Sequence, residues 1–294
     1  MAQGLNSNAI DYSVELEWAL RKLTAGKNRI FIPALKDQHR RFPRTHFHPA
    51  PELLIQRGGG SEFECPGGGF RMEAGDMCIM PRGVPHAETP LDTTSCYALV
   101  VCMHYRGAQY LNRGRTSADG SIEGFGTIML AGSRSQDACR YLDDAIDNQA
   151  ISGKRKNAYI RSLLEVFLLL TISELEASHC EQPPAAQVSL LVRDAEQFIR
   201  SHLADPDLSV PGVAGALGYS SDYVSRRFHK ERGLSLLAWI VQERVSMACD
   251  LLRDHRYNVA EVGWACGFNE SSYFIRVFRQ HRGVTPRQFR EAMG

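Results

Sequence analysis

Two sets of side chains in this chain have the types and spacing for chemistry. The first is His46, His48, Glu52 and His86. Side chains alternate along an extended strand, so His46 and His48 point the same way and Glu52 can share their face. A hairpin partner carrying His86 would complete three imidazoles and one carboxylate, donors that suit zinc, iron, nickel or manganese. The second set is Ser221, Asp222, Ser225, Arg226 and His229, answered further on by Ser271, Ser272, Ile275, Arg276 and Arg279. An arginine fork can bond O6 and N7 of guanine together, and a serine hydroxyl can bond a base edge or a phosphate. Five arginines, Arg276, Arg279, Arg282, Arg287 and Arg290, fall within 271–290 without one acid.

A repeat must position the second set. Val210, Val213, Ala216, Gly218 and Tyr219 are echoed 49 residues later by Val259, Val262, Ala265, Gly267 and Phe268. Tyr223, Arg226, Phe228 and Gly233 are echoed 50 residues later by Tyr273, Arg276, Phe278 and Gly283, so one residue is inserted between Phe268 and Tyr273. Each copy reads as a helix, a glycine turn and a second helix. Ser209 and Ser220 are N-caps, and Gly218 ends the first helix. Val224, Phe228, Phe274 and Phe278 face inward, which leaves the serines and arginines outward. Residues 235–253 read as one rigid helix with Ile240, Val245, Ala248 and Leu252 apolar, holding the two copies apart. To read successive major grooves on one face of DNA, the copies must stand roughly 34 Å apart. Pro211, Gly212 and Gly215 soften the first copy, and Asp222 places an acid on its exposed face.

This half resembles the AraC/XylS family of bacterial transcription regulators. The resemblance rests on Ser220-x-x-Tyr223-x-x-Arg226-x-Phe228-x-Lys230-x-x-Gly233, on Arg244-x-x-x-Ala248-x-x-Leu251-Leu252, and on the run from Ala260 through Cys266-Gly267-Phe268, Tyr273-Phe274-x-Arg276-x-Phe278, Gly283 and Pro286 to Phe289-Arg290. It covers about 100 residues. It implies a seven-helix domain with two helix-turn-helix units, a dimer of the whole chain, and readers that contribute unequally. Arg226 and Arg276 are the expected base contacts; Arg227, Lys230, Arg279 and Arg282 are expected to serve phosphate or solvent.

The first half has a different texture. Short apolar runs at 52–56, 61–65, 69–73, 77–80 and 97–103 read as strands, with Gly58-Gly59-Gly60 and Gly67-Gly68-Gly69 as turns. Such strands suggest a small barrel or jelly roll. A short amphipathic helix is expected over 13–24. The glycine-rich, polar stretch 104–132 gives no element. Residues 136–149 and 156–177 carry helical apolar stripes, and 178–187 has linker composition. His46-x-His48-x-x-x-Glu52 followed by Gly75, Pro81, Gly83 and His86 resembles the two motifs of the cupin superfamily, without the leading glycine of the first motif and with Pro90 where the second closes on asparagine. Two alternatives stand: the four residues bind a divalent transition metal, or they are a relic in a barrel that takes a small molecule or nothing. The stripe on 156–177 likewise either packs on the barrel or forms a dimer seam.

At 294 residues and net charge +1, with 44% apolar and 23% charged residues, the chain has room for two cores and no global field for nucleic acid. The eight cysteines are scattered without a C-x-x-C pair, and the N-terminus is interrupted by Asn6, Asn8 and Asp11. The longest apolar stretch, 166–170, is far too short to span a bilayer. These features lead to the expectation of a reduced, cytoplasmic protein with no membrane partner. The fold expected is a two-domain α+β chain: a cupin-like β-barrel domain over 1–180, with the barrel at 30–105 and helices at 135–177, then an all-α tandem helix-turn-helix domain over 188–294. The function expected is a non-enzymatic, ligand-responsive regulator with partners in promoter or operator DNA, a small-molecule effector, a second copy of itself and RNA polymerase. The rival is a metal-dependent cupin enzyme, a dioxygenase or isomerase, fused to a DNA-binding domain.

Overall fold

The protein is described from a computed structural model over residues 11–38, 45, 47–48, 50–91, 98–105, 108–116, 122–130, 132–150, 155–180, 189–253, 255 and 257–293. His46 lies outside the described residues. The chain divides into two compact units, one of residues 1–35, 50–82 and 88–183, the other of residues 36–49, 83–87 and 184–294.

The first unit opens with α1 (Tyr12–Thr24), started by Asp11, whose carboxylate accepts from the backbone N–H groups of Ser13 and Val14. Tyr12, Leu16, Ala19 and Leu23 form its buried stripe. Then follow β1 (Ile30–Phe31), β2 (Glu52–Gly58), β3 (Gly60–Glu64), β4 (Phe70–Glu73), β5 (Met77–Met80), β6 (Ala87–Pro90), β7 (Ala98–Tyr105), β8 (Ala108–Thr116) and β9 (Ile122–Leu130). They pair in two sheets, β1-β5-β2-β7-β8-β9 and β4-β3-β6, without closing into one ring among the described residues. The strand β2 is central, with antiparallel neighbours on both sides: Glu52 stands opposite Met80 of β5 and Met103 of β7. Alternation along these strands splits their side chains between two faces. Leu53, Ile55, Met77, Ile79, Val100, Cys102 and Leu111 take the face that joins the helical core. Glu52 takes the other. Gly59, at φ +62°, supplies the tight corner between β2 and β3.

The stretch 104–132, which composition left blank, contains all of β8 and β9. Its signal was hidden because β8 buries polar residues, Gln109 and Asn112, beside Tyr110 and Leu111. Gln109 is satisfied by the Thr171 hydroxyl at 2.9 Å. Thr171 belongs to α3 (Lys156–Cys180), which with α2 (Ser133–Asp147) completes this unit. Ile160, Leu164, Phe167, Leu168 and Leu175 of α3 lie in one core cluster with α1, α2 and the sheet, so its stripe packs on the strand-bearing unit. Glu15 of α1 sits between Arg57 of β2 and Arg113 of β8, at 2.7 and 3.3 Å, and Arg57 lies 4.1 Å over the Trp18 ring. These half-buried pairs fix the rotation of α1 on the sheet.

The second unit has seven helices among the described residues: α4 (Leu190–Ser201), α5 (Val210–Ala216), α6 (Ser221–Arg232), α7 (Leu236–Leu251), α8 (Val259–Ala265), α9 (Ser271–Arg282) and α10 (Pro286–Glu291). The caps follow from sequence. Ser209, Ser220 and Ser235 each accept from a backbone N–H of the first turn they precede. Despite its two glycines α5 forms, because Ser209 caps it and Pro211 stands where no donor is needed. Its counterpart α8 has a reciprocal capping box, Asn258 with Glu261. Phe228 and Trp239 meet edge-on in the first half, and Phe274, Phe278 and Phe289 chain together in the second.

One buried arginine joins the two halves. Arg244 of α7 is 8% exposed; its Nε donates to Leu203 O at 3.1 Å and its Nη2 to Asp205 O at 2.5 Å. Its guanidinium also lies 5.8 Å from the Phe268 ring centre. The loop between α4 and α5 is thereby tied to the turn between α8 and α9. That turn must approach closely. Gly267 has φ +80°, and a Cβ there would stand 2.3 Å from Leu203 O and 2.8 Å from Arg244 Nη2. The equivalent Gly218, φ +73°, has nothing within 4 Å of such a Cβ.

Two stability predictions follow from this packing. Leu164→Ala, at a fully buried position, is expected to cost about 2–5 kcal/mol in urea unfolding of the full chain. Gly218→Ala is expected to cost roughly 1–2 kcal/mol, the left-handed penalty alone. Gly267→Ala should cost about 1–3 kcal/mol beyond that, because a backbone carbonyl must move; equal losses at the two glycines would mean that the second turn relaxes freely.

Candidate nucleic-acid interface

The repeat in the sequence becomes two structurally matched pairs, α5–α6 and α8–α9. In α6, Val224 and Phe228 are buried, Asp222, Arg226 and His229 are exposed, and Ser221 and Ser225 are half-buried. In α9, Phe274, Val277 and Phe278 are buried, Ser272, Ile275, Arg276 and Arg279 are exposed, and Ser271 is half-buried. Both helices end at a left-handed glycine, Gly233 and Gly283. The ten residues singled out from sequence thus fall on the outward sides of two equivalent helices, each held from beneath by phenylalanine.

The two helices differ at their N-termini. Ser220 caps α6 through its hydroxyl to Tyr223 N. The inserted residue places Glu270 at the same position of α9, where its side chain makes no cap. The first-turn N–H groups of α9 are therefore left without a side-chain partner. Beside them is an open groove of about 600 Å3, lined by Arg244, Asn269, Glu270, Ser272, Tyr273 and Arg276 among others.

The arginine-rich stretch is less free than its composition implies. Arg287 pairs with Glu291 at 2.9 Å, just beyond the acid-free window. Arg290 Nε donates to Leu252 O at the end of α7, and Arg282 hydrogen-bonds the Cys249 sulfur. In the first copy Arg227 pairs with Glu231. Arg226, Arg276 and Arg279 have no ion-pair partner among the described residues. Arg276 lies 5.3 Å over the Tyr273 ring, which restrains its fork without consuming its donors. Arg244 carried no role in the sequence beyond its place in a motif. Its signal was an arginine between Ile240 and Ala248 on the apolar stripe of α7, a charge that a core accepts only with full hydrogen bonding.

Of the candidate metal ligands, His48 and His86 lie in one compact unit and Glu52 in the other. The rings of His48 and His86 are 5.7 Å apart. Glu52 is 2% exposed and His86 1%. The Nδ1–H of His86 donates to Val84 O at 3.0 Å, which fixes the tautomer with the lone pair on Nε2. Burial lowers the His86 pKa to about 4 and, together with His86, holds His48 well below the usual imidazole range. Burial also raises the Glu52 carboxyl well above its ordinary value, with Glu88 adding to the shift. Two neutral imidazoles and a carboxyl that resists ionisation without a cation are donors suited to a transition metal.

Residues 30–165 match the family described as an AraC-like ligand binding domain, and residues 199–292 match a helix-turn-helix domain. The arabinose operon regulatory protein of Salmonella typhimurium is 36% identical over 129 residues, 44% of this chain and 44% of that one. The HTH-type transcriptional activator RhaR of Pectobacterium atrosepticum is 28% identical over 267 residues, 85% of this chain and 86% of that one. Among solved structures, the C-terminal domain of AraT, a response regulator from Geobacillus stearothermophilus, is similar at 31% identity over 36% of this chain and 88% of that chain, with TM-score 0.35. The match to the arabinose regulator thus spans less than half of that protein's length. The chain thus carries a domain similar to AraC-like ligand-binding domains first and a helix-turn-helix domain second, and its relatives are AraC/XylS-family regulators.

Proposed function

We propose that this protein is a sequence-specific DNA-binding transcription regulator whose first domain answers a small molecule. The observation that carries the reading is the matched pair Arg226 and Arg276: the same position on two equivalent helices, exposed, and in both cases without an acid to hold the guanidinium. A free arginine fork at that point of a helix suits the paired acceptors of guanine in the major groove. Ser221, Ser225, Ser271 and Ser272 flank the forks and suit base edges or phosphate, as does the uncapped first turn of α9. Asp222 and His229 border the first fork, and Ile275 and Arg279 the second. The junction at Arg244 and Gly267 supports a fixed separation of the two readers.

The wider proposal has a second copy of the chain doubling the DNA footprint, with effector binding in residues 1–180 favouring one arrangement of the two protomers over another. RNA polymerase is then the partner through which bound regulator acts. Catalysis plays no part in this scheme. Within it, a divalent transition metal is held by the set read from sequence, His46, His48, Glu52 and His86.

Arg276→Ala is expected to weaken specific binding by about 1–3 kcal/mol and to relax base preference at one position. Titration against a mapped genomic site and against random duplex measures both; equal losses on the two would make Arg276 a phosphate contact. For the metal, elemental analysis of purified protein should find close to one transition-metal ion per chain, lost in a His48→Ala/His86→Ala double variant. Metal-free wild-type protein refolded with zinc and still empty would remove the metal from the scheme.

A further inference from the structure

A second cleft, of about 530 Å3, opens in the strand-bearing unit where the loop after α1 meets the first turns of α3. Three cations line it, Arg29, Lys156 and Arg161, and no acid lines it among the described residues. Arg29 is already engaged, bonded to Asp76 at 2.5 Å. The other two are not neutralised. Arg161 donates only to uncharged oxygens, Leu23 O at 3.0 Å, Asn28 Oδ1 at 2.6 Å and Asn28 O at 2.5 Å. Lys156 has no ion pair among the described residues. Asn28 spends its side-chain oxygen on Arg161, while its Nδ2 is buried with no acceptor. A buried amide donor without an acceptor costs free energy unless something else fills the role.

The helix adds to the same imbalance. Lys156 is the first residue of α3, and no acid stands in its first turn. A cation at a helix N-terminus opposes the dipole, whereas an anion there is favoured. The floor of the cleft is apolar, formed by Ile30, Ile32 and Ile160. Among the described residues Lys156 has no ion pair and the Asn28 amide nitrogen no acceptor, the local charge is positive, and one wall is hydrocarbon.

We propose that this cleft binds a small organic carboxylate and that such an anion is the effector class of the regulator. The carboxylate sits between Lys156 and Asn28 Nδ2 at the start of α3, and a short apolar body lies along Ile30 and Ile160. Binding ties α3 more firmly to the end of α1, which Arg161 already holds through Leu23 O. Only the effector role rests on the proposed regulatory function; the binding site stands on its own geometry.

The test uses the full chain, titrated calorimetrically with sodium acetate, butyrate and hexanoate at ionic strength matched by sodium chloride, with hexanamide as the neutral control. The expected result is saturable binding that tightens with chain length, up to about fourfold per added CH2, with hexanamide at least tenfold weaker than hexanoate. Lys156→Gln should lower hexanoate affinity at least tenfold without lowering the melting temperature, since it removes a charge that α3 does not favour. Asn28→Ala should also weaken binding. Absence of carboxylate binding, or equal binding by wild type and Lys156→Gln, overturns the site. Hexanoate is also expected to change affinity for a mapped genomic DNA site in wild type but not in Lys156→Gln. Binding without that change overturns the effector role and leaves the site. Failure of the protein to bind any DNA specifically would overturn the regulatory reading instead, whatever the titrations show.

Discussion

The geometry of the DNA-reading unit depends on one buried guanidinium. Arg244 leaves the apolar stripe of α7 to satisfy two carbonyls in the loop between α4 and α5, and it lies over the aromatic ring of the turn between α8 and α9. A charge 8% exposed is tolerable only when such acceptors surround it. The acceptors exist only if the loop lies where it does, and the loop can lie there only if position 267 has no side chain. Fold and charge therefore require each other. The result is that neither reader can rotate without breaking a buried hydrogen bond, so the separation of Arg226 and Arg276 is a property of the core rather than of a flexible linker.

The strand-bearing unit follows a different logic. Its packing is hydrocarbon: α1, α2 and α3 press one face of the sheet through leucine, isoleucine and phenylalanine. Its polar groups are placed where that packing leaves them short of partners. Gln109 and Thr171 satisfy each other, and Glu15 satisfies two arginines. Lys156, Arg161 and the Asn28 amide are not balanced in this way. Stability and recognition are separated within the same unit: the apolar face supplies the first, the uncompensated polar groups at its margins the second.

Much of this was legible in the chain itself. The helix-turn-helix repeat was readable because capping serines, stop glycines and inward phenylalanines are local signals that recur at fixed spacing. Strands β2 to β5 were readable because glycine turns bracket apolar runs. The pair β8 and β9 was not, since Gln109 and Asn112 are buried polar residues, and the partner of Gln109 on α3 is 62 positions away. The apolar stripe of α3 was visible too, but its use was not: core packing and a dimer seam call for the same residues, and burial in the cluster with α1, α2 and the sheet assigns it to packing.

By itself the sequence determined the order of the two domains, the register of the two readers and the types of their exposed side chains, because helix periodicity and capping act over a few residues. Tertiary structure alone decided which arginines are available. Arg276 and Arg279 stand open, whereas Arg282 and Arg290 are held by Cys249 and the end of α7. It also decided that Arg244 belongs to the core and that Lys156 and Asn28 share a cleft. Each of these depends on where distant parts of the chain meet, and the charge or hydrogen-bonding balance of a side chain is set by neighbours that no local pattern records.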